Sequence, residues 1–245
     1  MAALLVHGGG GGTCADLLGL ATFLSQRGHA VSLPLLPGFG TTPDELDATP
    51  AEAWKRHLMD EYEALRTGDG GTGQRKVVVV GHSMGGLLAL WLAAEARPPP
   101  AGAFVLSAAL RLKGLARLGR FVALFKKYHE IDVERLVDES GGRWVGYSRL
   151  PLSVLKKLRQ LAKETRGLLP SVTVPLVVAQ GSLDEVVPRK VAREILARAG
   201  STDKRLLWFE KSGHPIFFGP EERVLYGEVA RFLERVELGL TGAAG

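Results

Sequence analysis

The chain has 245 residues, 46% of them hydrophobic and 23% charged, with a net charge of +5. These proportions are ordinary for one globular α/β domain, and no apolar run approaches the roughly 20 residues of a transmembrane helix. Cys14 is the single cysteine, so an intramolecular disulfide and a thiolate metal cluster are excluded; with no signal-peptide pattern, the expected location is the cytoplasm.

Short apolar strands alternate with helical patterns along the chain, which is typical of a parallel sheet with crossover helices. Strands are predicted at 3–6, 30–33, 76–80, 103–106, 174–179 and 205–209. Helices are predicted at 17–26, 51–65, 87–96, 190–198 and 221–236. In Thr49-Pro50-Ala51-Glu52, the threonine, the proline and the glutamate three residues after the threonine predict a helix start with Thr49 as N-cap of a capping box.

A run of five glycines, Gly8 to Gly12, follows the first predicted strand and His7. Glycine lets the backbone approach a bound carbonyl closely, so a backbone N–H of this run is a candidate donor to an oxyanion. A phosphate-binding loop is the rival interpretation. It is disfavoured because the run lacks the lysine of a P-loop and the acidic residue that a dinucleotide site needs about twenty positions later.

Ser83 lies in Gly81-His82-Ser83-Met84-Gly85, between the β-branched run 77–80 and the helical pattern 87–96. A serine between glycines at a strand-to-helix turn is held in a sharp bend with its hydroxyl above the sheet edge. The context predicts that Ser83 is a nucleophile and that the N–H of Met84 is a further oxyanion donor. A Gly-Ser turn without chemistry is the alternative.

About 65 residues separate the strands predicted at 103–106 and 174–179, far more than a crossover needs. Open α/β sheets bind ligands at the carboxyl ends of their strands. We therefore predict a helical cap at 109–171 over this edge, inserted in a core made of 1–108 and 172–245.

The basic excess of the chain is local to this predicted cap. Residues 111–170 hold 14 Lys and Arg against 6 Asp and Glu, a net +8, whereas the rest holds 17 against 20, a net −3. Because leucines recur at helical spacing among these charges, a solvated basic helix face is expected. An interfacial or anionic-substrate role and nucleic-acid binding are the alternatives.

A serine nucleophile needs a base and a carboxylate that orients the base. His214 follows the last predicted strand and Asp184 follows the strand before it, so both fall on loops at the edge where Ser83 is expected. They are the candidate base and orienting carboxylate, with Glu185 as the alternative carboxylate. The remaining candidates, expected to be structural because of their positions, are His29, His57, His82, His129 and Asp203.

Four segments of the chain resemble signature segments of the α/β-hydrolase superfamily. They are Leu4-Leu5-Val6-His7-Gly8, Gly81-His82-Ser83-Met84-Gly85-Gly86, Gln180-Gly181-Ser182-Leu183-Asp184-Glu185-Val186-Val187-Pro188 and Ser212-Gly213-His214. The compact size, the predicted cap and the loop at 34–40 are similar to those of small bacterial carboxylesterases and monoacylglycerol lipases.

This resemblance implies an α/β-hydrolase fold: a mostly parallel sheet of six or seven strands, flanked by helices and carrying a small helical cap. It also implies that Ser83 is the nucleophile, His214 the base and Asp184 the orienting carboxylate, with Gly9 and Met84 as oxyanion donors. Such esterases often carry a bulky residue where this chain has Gly9, so a wider pocket is expected there.

The expected reaction is hydrolysis of carboxylic esters through an acyl-enzyme on Ser83, with no metal or organic cofactor and with activity falling in acid as His214 protonates. Short- to medium-chain esters, including monoacylglycerols, are the expected substrates, because apolar cap residues suit an acyl chain. Packing of the cap on the core is the alternative role of these residues. They are Leu112, Leu115, Leu118, Phe121, Val122, Leu124 and Phe125.

The expected partner is a small ester substrate, without nucleic acid or integral membrane association, and the chain is expected to be a monomer or a homodimer. A thioesterase, an acyltransferase or a peptidase would use the same three side chains. A catalytically inactive protein that binds an apolar ligand under the cap is the alternative outside enzymes.

Overall fold

The computed structural model describes residues 1–68, 74–113 and 127–240. Its strands are β1 (Ala2–Val6), β2 (Ala30–Ser32), β3 (Val77–His82), β4 (Gly102–Leu106), β5 (Tyr128–Glu130), β6 (Arg149–Pro151), β7 (Leu176–Gly181) and β8 (Lys204–Phe209). Six of them form one sheet in the order β2-β1-β3-β4-β7-β8, and every neighbouring pair is parallel. The loops after β1, β3, β7 and β8 therefore meet at one edge.

Helices cover both faces of this sheet. They are α1 (Leu18–Ser25), α2 (Pro43–Ala48), α3 (Ala51–Thr67), α4 (Met84–Glu95), α5 (Val133–Glu139), α6 (Ser153–Leu168), α7 (Lys190–Arg198) and α8 (Glu222–Glu237). Short 3-10 turns lie at Cys14–Leu17, Leu169–Ser171 and Ile216–Phe218.

The four central strands β1, β3, β4 and β7 are buried at every position and mostly apolar, because helices cover both faces of the sheet there. Val77 and Val79 of β3 face a cluster formed with α3, α4, α6 and α7. Val78 and Val80 face the opposite cluster, formed with α1 and α8. The result is a three-layer α/β/α core, which confirms the fold class predicted from the alternation of strands and helices.

One predicted helix start is wrong in its detail. Helix α3 begins at Ala51 as expected, but its N-cap is Pro50 and no side chain caps it. Thr49 ends the preceding helix α2 instead, and its hydroxyl donates to the carbonyl oxygen of Glu45 at 2.7 Å. The capping box does not form because the Thr49 hydroxyl is bonded to α2, a helix that was not predicted, and so does not accept from the N–H groups of α3.

The segment between β4 and β7 contains the antiparallel pair β5 and β6 and the helices α5 and α6. Helix α6 packs against α4, and the hydroxyl of its buried Thr165 lies 3.5 Å from the carbonyl oxygen of Leu87. Part of the segment 109–171 thus lies in the helical layer of the core. The division into core and cap stays a prediction.

Basic residues of this segment pair with acidic residues of the rest of the chain. Arg143 reaches Glu222 of α8 at 2.6 Å, and Lys127 reaches Asp44 of α2 at the same distance. These pairs are partly exposed, so each adds little stability. They nevertheless show that basic residues of the positively charged portion, 111–170, contact acidic residues of the negatively charged remainder.

Six of the apolar residues expected to line the cap lie outside the described residues. They are Leu115, Leu118, Phe121, Val122, Leu124 and Phe125. Of the helices within 1–68, 74–113 and 127–240, none is both long enough and apolar enough to cross a membrane.

Candidate active site

The candidate nucleophile lies at the turn between β3 and α4. Ser83 has a φ of 54°, a conformation that is rare for a residue with a side chain. Neighbouring glycines permit the turn, because a methyl group on Gly81 would lie 2.5 Å from the carbonyl carbon of Gly85. The Ser83 N–H donates to Leu106 of β4 at 2.9 Å, and its carbonyl accepts from Gly86 at 3.1 Å. These contacts fix the backbone of Ser83 at the carboxyl end of β3.

The loops after β7 and β8 bring an aspartate and a histidine to this serine. His214 Nε2 lies 3.0 Å from Ser83 Oγ, and His214 Nδ1 lies 3.0 Å from Asp184 Oδ2. A carboxylate oxygen accepts, so Nδ1 carries the imidazole proton and Nε2 presents its lone pair to the serine hydroxyl. The geometry permits transfer of the serine proton to Nε2.

Asp184 is held by more than His214. It is 1% exposed, and its Oδ1 accepts from the N–H groups of Val186 at 2.9 Å and Val187 at 2.8 Å. Burial acts to raise the pKa of Asp184, but hydrogen bonding to His214 and to these two N–H groups outweighs burial and lowers that pKa below its ordinary value. Asp184 is therefore a carboxylate that can orient an imidazole.

Of the other candidates, His82 adjoins this cluster, and the structure separates the rest from it. Glu185 is exposed, and Asp203 pairs with Arg235 at 2.7 Å near the amino end of β8. His29 precedes β2, His57 lies on α3 and His129 lies on β5. In the part of the chain that the structure describes, no three His, Cys, Asp or Glu side chains are grouped to hold a metal ion.

The glycine run is oriented by the buried histidine before it. His7 Nδ1 lies 2.8 Å from the carbonyl oxygen of Gly8 and therefore donates, while its Nε2 accepts from the N–H of Leu36 at 3.1 Å. Burial lowers the pKa of His7 to about 4, so the ring is neutral at pH 7. Because the carbonyl of Gly8 and the N–H of Gly9 point in opposite directions across one peptide plane, the Gly9 N–H is directed away from His7.

The second expected oxyanion donor adjoins the first. The Ser83 carbonyl and the Met84 N–H belong to one peptide group and point in opposite directions. Because the carbonyl points into α4, the N–H points out of the amino terminus of that helix. A methyl group on Gly9 would lie 2.7 Å from Met84 Sδ. The expectation of a wider pocket at Gly9 is therefore wrong, because the Met84 thioether occupies that space.

A tyrosine that the sequence did not single out ties three parts of the chain together. The Tyr147 N–H donates to Gly11 at 2.9 Å, so the segment between β5 and β6 holds the glycine run. The Tyr147 hydroxyl donates to the carbonyl of Gly38 at 2.6 Å and accepts from the N–H of Thr41 at 3.0 Å. No periodicity or motif marks this tyrosine, because each of its partners is distant in sequence.

A cavity of about 290 Å³ lies between the loop after β4 and helix α6. The loop adjoins the nucleophile turn, since the N–H of Ala109 donates to the carbonyl of Ser83 at 3.1 Å. The cavity is lined by Leu110, Leu112, Leu158 and two alanines, together with Arg111 and Arg159. Its lining is mainly apolar, and its loop is joined to the backbone of the nucleophile turn.

The fold and the site define an α/β protein in which a serine is hydrogen-bonded to a histidine, and that histidine to an aspartate, at the carboxyl edge of a parallel sheet. The profile described as "Alpha/beta hydrolase family" matches residues 3–225. The chain belongs to this family.

Two curated relatives are similar over most of their length. A carboxylesterase of Bacillus subtilis (strain 168) is 28% identical over 240 residues, which cover 96% of this chain and 93% of the relative. A thermostable monoacylglycerol lipase of Bacillus sp. (strain H-257) is 28% identical over 221 residues, covering 86% of this chain and 81% of the relative.

Solved structures show the same fold. One described as "LipS and LipT, two metagenome-derived lipolytic enzymes" superposes with a TM-score of 0.83 at 26% identity, covering 96% of this chain and 94% of that chain. A monoacylglycerol lipase of Paleococcus ferrophilus superposes with a TM-score of 0.76 at 18% identity, with the same coverage. The second likeness bears on the fold alone.

Proposed function

We propose that this alpha/beta hydrolase is a serine carboxylesterase acting on short- to medium-chain carboxylic esters, monoacylglycerols among them. That the chain is a carboxylic-ester hydrolase follows from its similarity to a carboxylesterase and a monoacylglycerol lipase over most of its length. The observation that carries the serine mechanism is the continuous hydrogen-bond path from Ser83 Oγ through the His214 ring to Asp184.

In the proposed mechanism, Ser83 Oγ attacks the ester carbonyl while His214 Nε2 takes the hydroxyl proton. Asp184 keeps the proton on Nδ1 and stabilises the imidazolium. The N–H groups of Gly9 and Met84 donate to the oxyanion of the tetrahedral intermediate. His214 then protonates the leaving alcohol, and water, deprotonated by His214, attacks the acyl-enzyme and releases the acid.

The substrate range rests on the apolar surface near the turn. The cavity beside α6 is large enough for part of an acyl chain, and aliphatic side chains dominate its lining. This supports esters with an apolar acyl group. The cytoplasmic location, the role of residues 109–171 as a cap, and the monomeric or homodimeric state stay predictions.

Hydrolysis of p-nitrophenyl esters with two to sixteen acyl carbons tests the proposal. We expect one preferred chain length, stoichiometric labelling by a fluorophosphonate, and loss of both in Ser83→Ala. Ser201→Ala is the matched control, since Ser201 is buried but bonds to Asp203 near the amino end of β8. Faster turnover of thioesters or peptides would move the function to another acyl transfer, and an unlabelled, inactive protein would refute the enzyme assignment.

A further inference from the structure

A second buried imidazole lies beside the nucleophile, and the proposed mechanism gives it no role. His82 ends β3 and is 6% exposed. Its Nε2 lies 3.2 Å from the backbone carbonyl oxygen of His214. Because a carbonyl oxygen only accepts, Nε2 carries the proton, and a neutral His82 ring then holds a lone pair on Nδ1.

The neutral form is also the one that the surroundings favour. Burial lowers the pKa of His82 to about 3, and the nearby His214 acts in the same direction. The carbonyl that His82 contacts also accepts from the N–H of Ile216 at 3.2 Å, so two donors fix its direction. The backbone of His214 is thus held from the strand on one side and from its own loop on the other.

The ring of His82 fills the space between the loop after β8, which carries His214, and the glycine run after β1. Its centroid lies 4.8 Å from the ring of His214 and 4.7 Å from that of Phe217, which it meets edge to face. On its other side, a methyl group on Gly8 would lie 3.0 Å from His82 Nδ1. Displacing His82 therefore frees the His214 loop on one side and the glycine run on the other.

Packing alone does not explain an imidazole at this position. His82 Nδ1 is buried and has no hydrogen-bond partner among the residues that the structure describes. A buried acceptor without a partner is unfavourable, and a phenyl ring would fill similar space without that cost. The feature that histidine adds and a phenyl ring lacks is the Nε2–H that meets the His214 carbonyl.

We propose that His82 is a positioning residue for His214: its Nε2–H holds the His214 backbone and its ring limits the tilt of the catalytic imidazole. The inference rests on the proposed function, in which His214 is the base. His82 contacts no reacting atom, so its loss is expected to change the rate of the chemical step and not the binding of substrate.

The test compares two substitutions. His82→Phe keeps a planar ring and removes the donor, whereas His82→Gln keeps an amide N–H that can reach the same carbonyl. We expect kcat of His82→Phe to fall about 10- to 100-fold with KM changed less than about twofold, since small misplacement of a catalytic group has effects of this size. His82→Gln is expected to regain most of the lost kcat.

Phe217→Leu is the control for packing, because it removes the ring on the far side of His82 and leaves the hydrogen bond. An undiminished kcat in His82→Phe would overturn the proposal. So would equal losses in His82→Phe and His82→Gln, or an equal loss in Phe217→Leu. Thermal unfolding and fluorophosphonate titration of each variant restrict the comparison to folded protein.

A measurement on the unaltered protein tests the inference without an assay. Nitrogen-15 NMR is expected to show His82 as the neutral Nε2–H tautomer at pH 7. The Nδ1–H tautomer would refute the role, because its Nε2 has no proton to donate to the His214 carbonyl. Failure of the proposed function is recognised separately, as absence of Ser83-dependent ester hydrolysis in the same preparation.

Discussion

Replacing Gly85 by alanine tests whether the close contact of α4 with β1 sets the geometry of the site. A methyl group there would lie 2.5 Å from the carbonyl oxygen of His7, and nearer still to that of Val6. Side-chain Cβ atoms essentially never approach within 3.0 Å of such atoms, so α4 and β1 have to separate by at least about half an ångström. Ser83 precedes α4 and the glycine run follows β1, so this separation moves the nucleophile away from the Gly9 N–H.

We expect Gly85→Ala to lower kcat/KM for p-nitrophenyl esters by about 10- to 100-fold, and to destabilise the fold by about 1 to 3 kcal/mol. Gly167→Ala is the matched control: it lies in α6 with nothing within 4 Å of an added methyl group. That variant is expected to keep its activity and gain up to about 1 kcal/mol from helix propensity. A Gly85→Ala enzyme with kcat/KM within about threefold of the original would refute the contact argument.

Three further outcomes are expected. Asp184→Asn should lower kcat by about 10³- to 10⁴-fold while Glu185→Gln leaves it nearly unchanged; equal effects in steady-state assays would reassign the carboxylate. Burial lowers the pKa of His7 to about 4 and that of His82 to about 3 in the folded protein. As the pH falls below about 6.5, these histidines therefore bind protons in the unfolded chain before they do so in the folded protein. Stability should therefore decrease by up to about 1.4 kcal/mol per pH unit for each histidine down to its folded pKa, and urea unfolding at pH 7 and 5 that gives equal values would contradict this. Tyr147→Phe should cost about 1 to 2 kcal/mol in the same assay, because it removes both hydrogen bonds of the tyrosine hydroxyl, the one to the Gly38 carbonyl and the one from the Thr41 N–H; an unchanged unfolding midpoint would show that these bonds contribute nothing.

The positions of the candidate site residues follow from local sequence and topology. Ser83, Asp184 and His214 each follow an apolar strand, and parallel strands place such residues at one edge. Glu185 could be separated from Asp184 only in three dimensions, where the two N–H groups of the turn bind one carboxylate and leave its neighbour exposed.

Contacts between distant segments were beyond the reach of sequence patterns. The bond from Tyr147 to Gly38 joins residues 109 positions apart, and that from His82 to His214 joins residues 132 apart. The missed helix α2 is short, so its six residues carry little periodicity. Thr49 was misassigned for the same reason: a capping residue can end one helix or begin the next, and the choice depends on a helix that the pattern did not show.

Two neutral histidines therefore hold the segments on which the proposed chemistry depends. His7 accepts from Leu36 through Nε2, so its protonation would set an Nε2–H against the Leu36 N–H and displace the ring, whose Nδ1–H holds the Gly8 carbonyl that orients the Gly9 peptide. Protonation of His82 would place a second positive charge beside His214 whenever that ring takes the serine proton. Acid then disturbs the proposed oxyanion donor and the proposed base through groups that never touch substrate. This explains why burial at both positions serves the site: it keeps each ring in the one charge state whose hydrogen bonds the loops require.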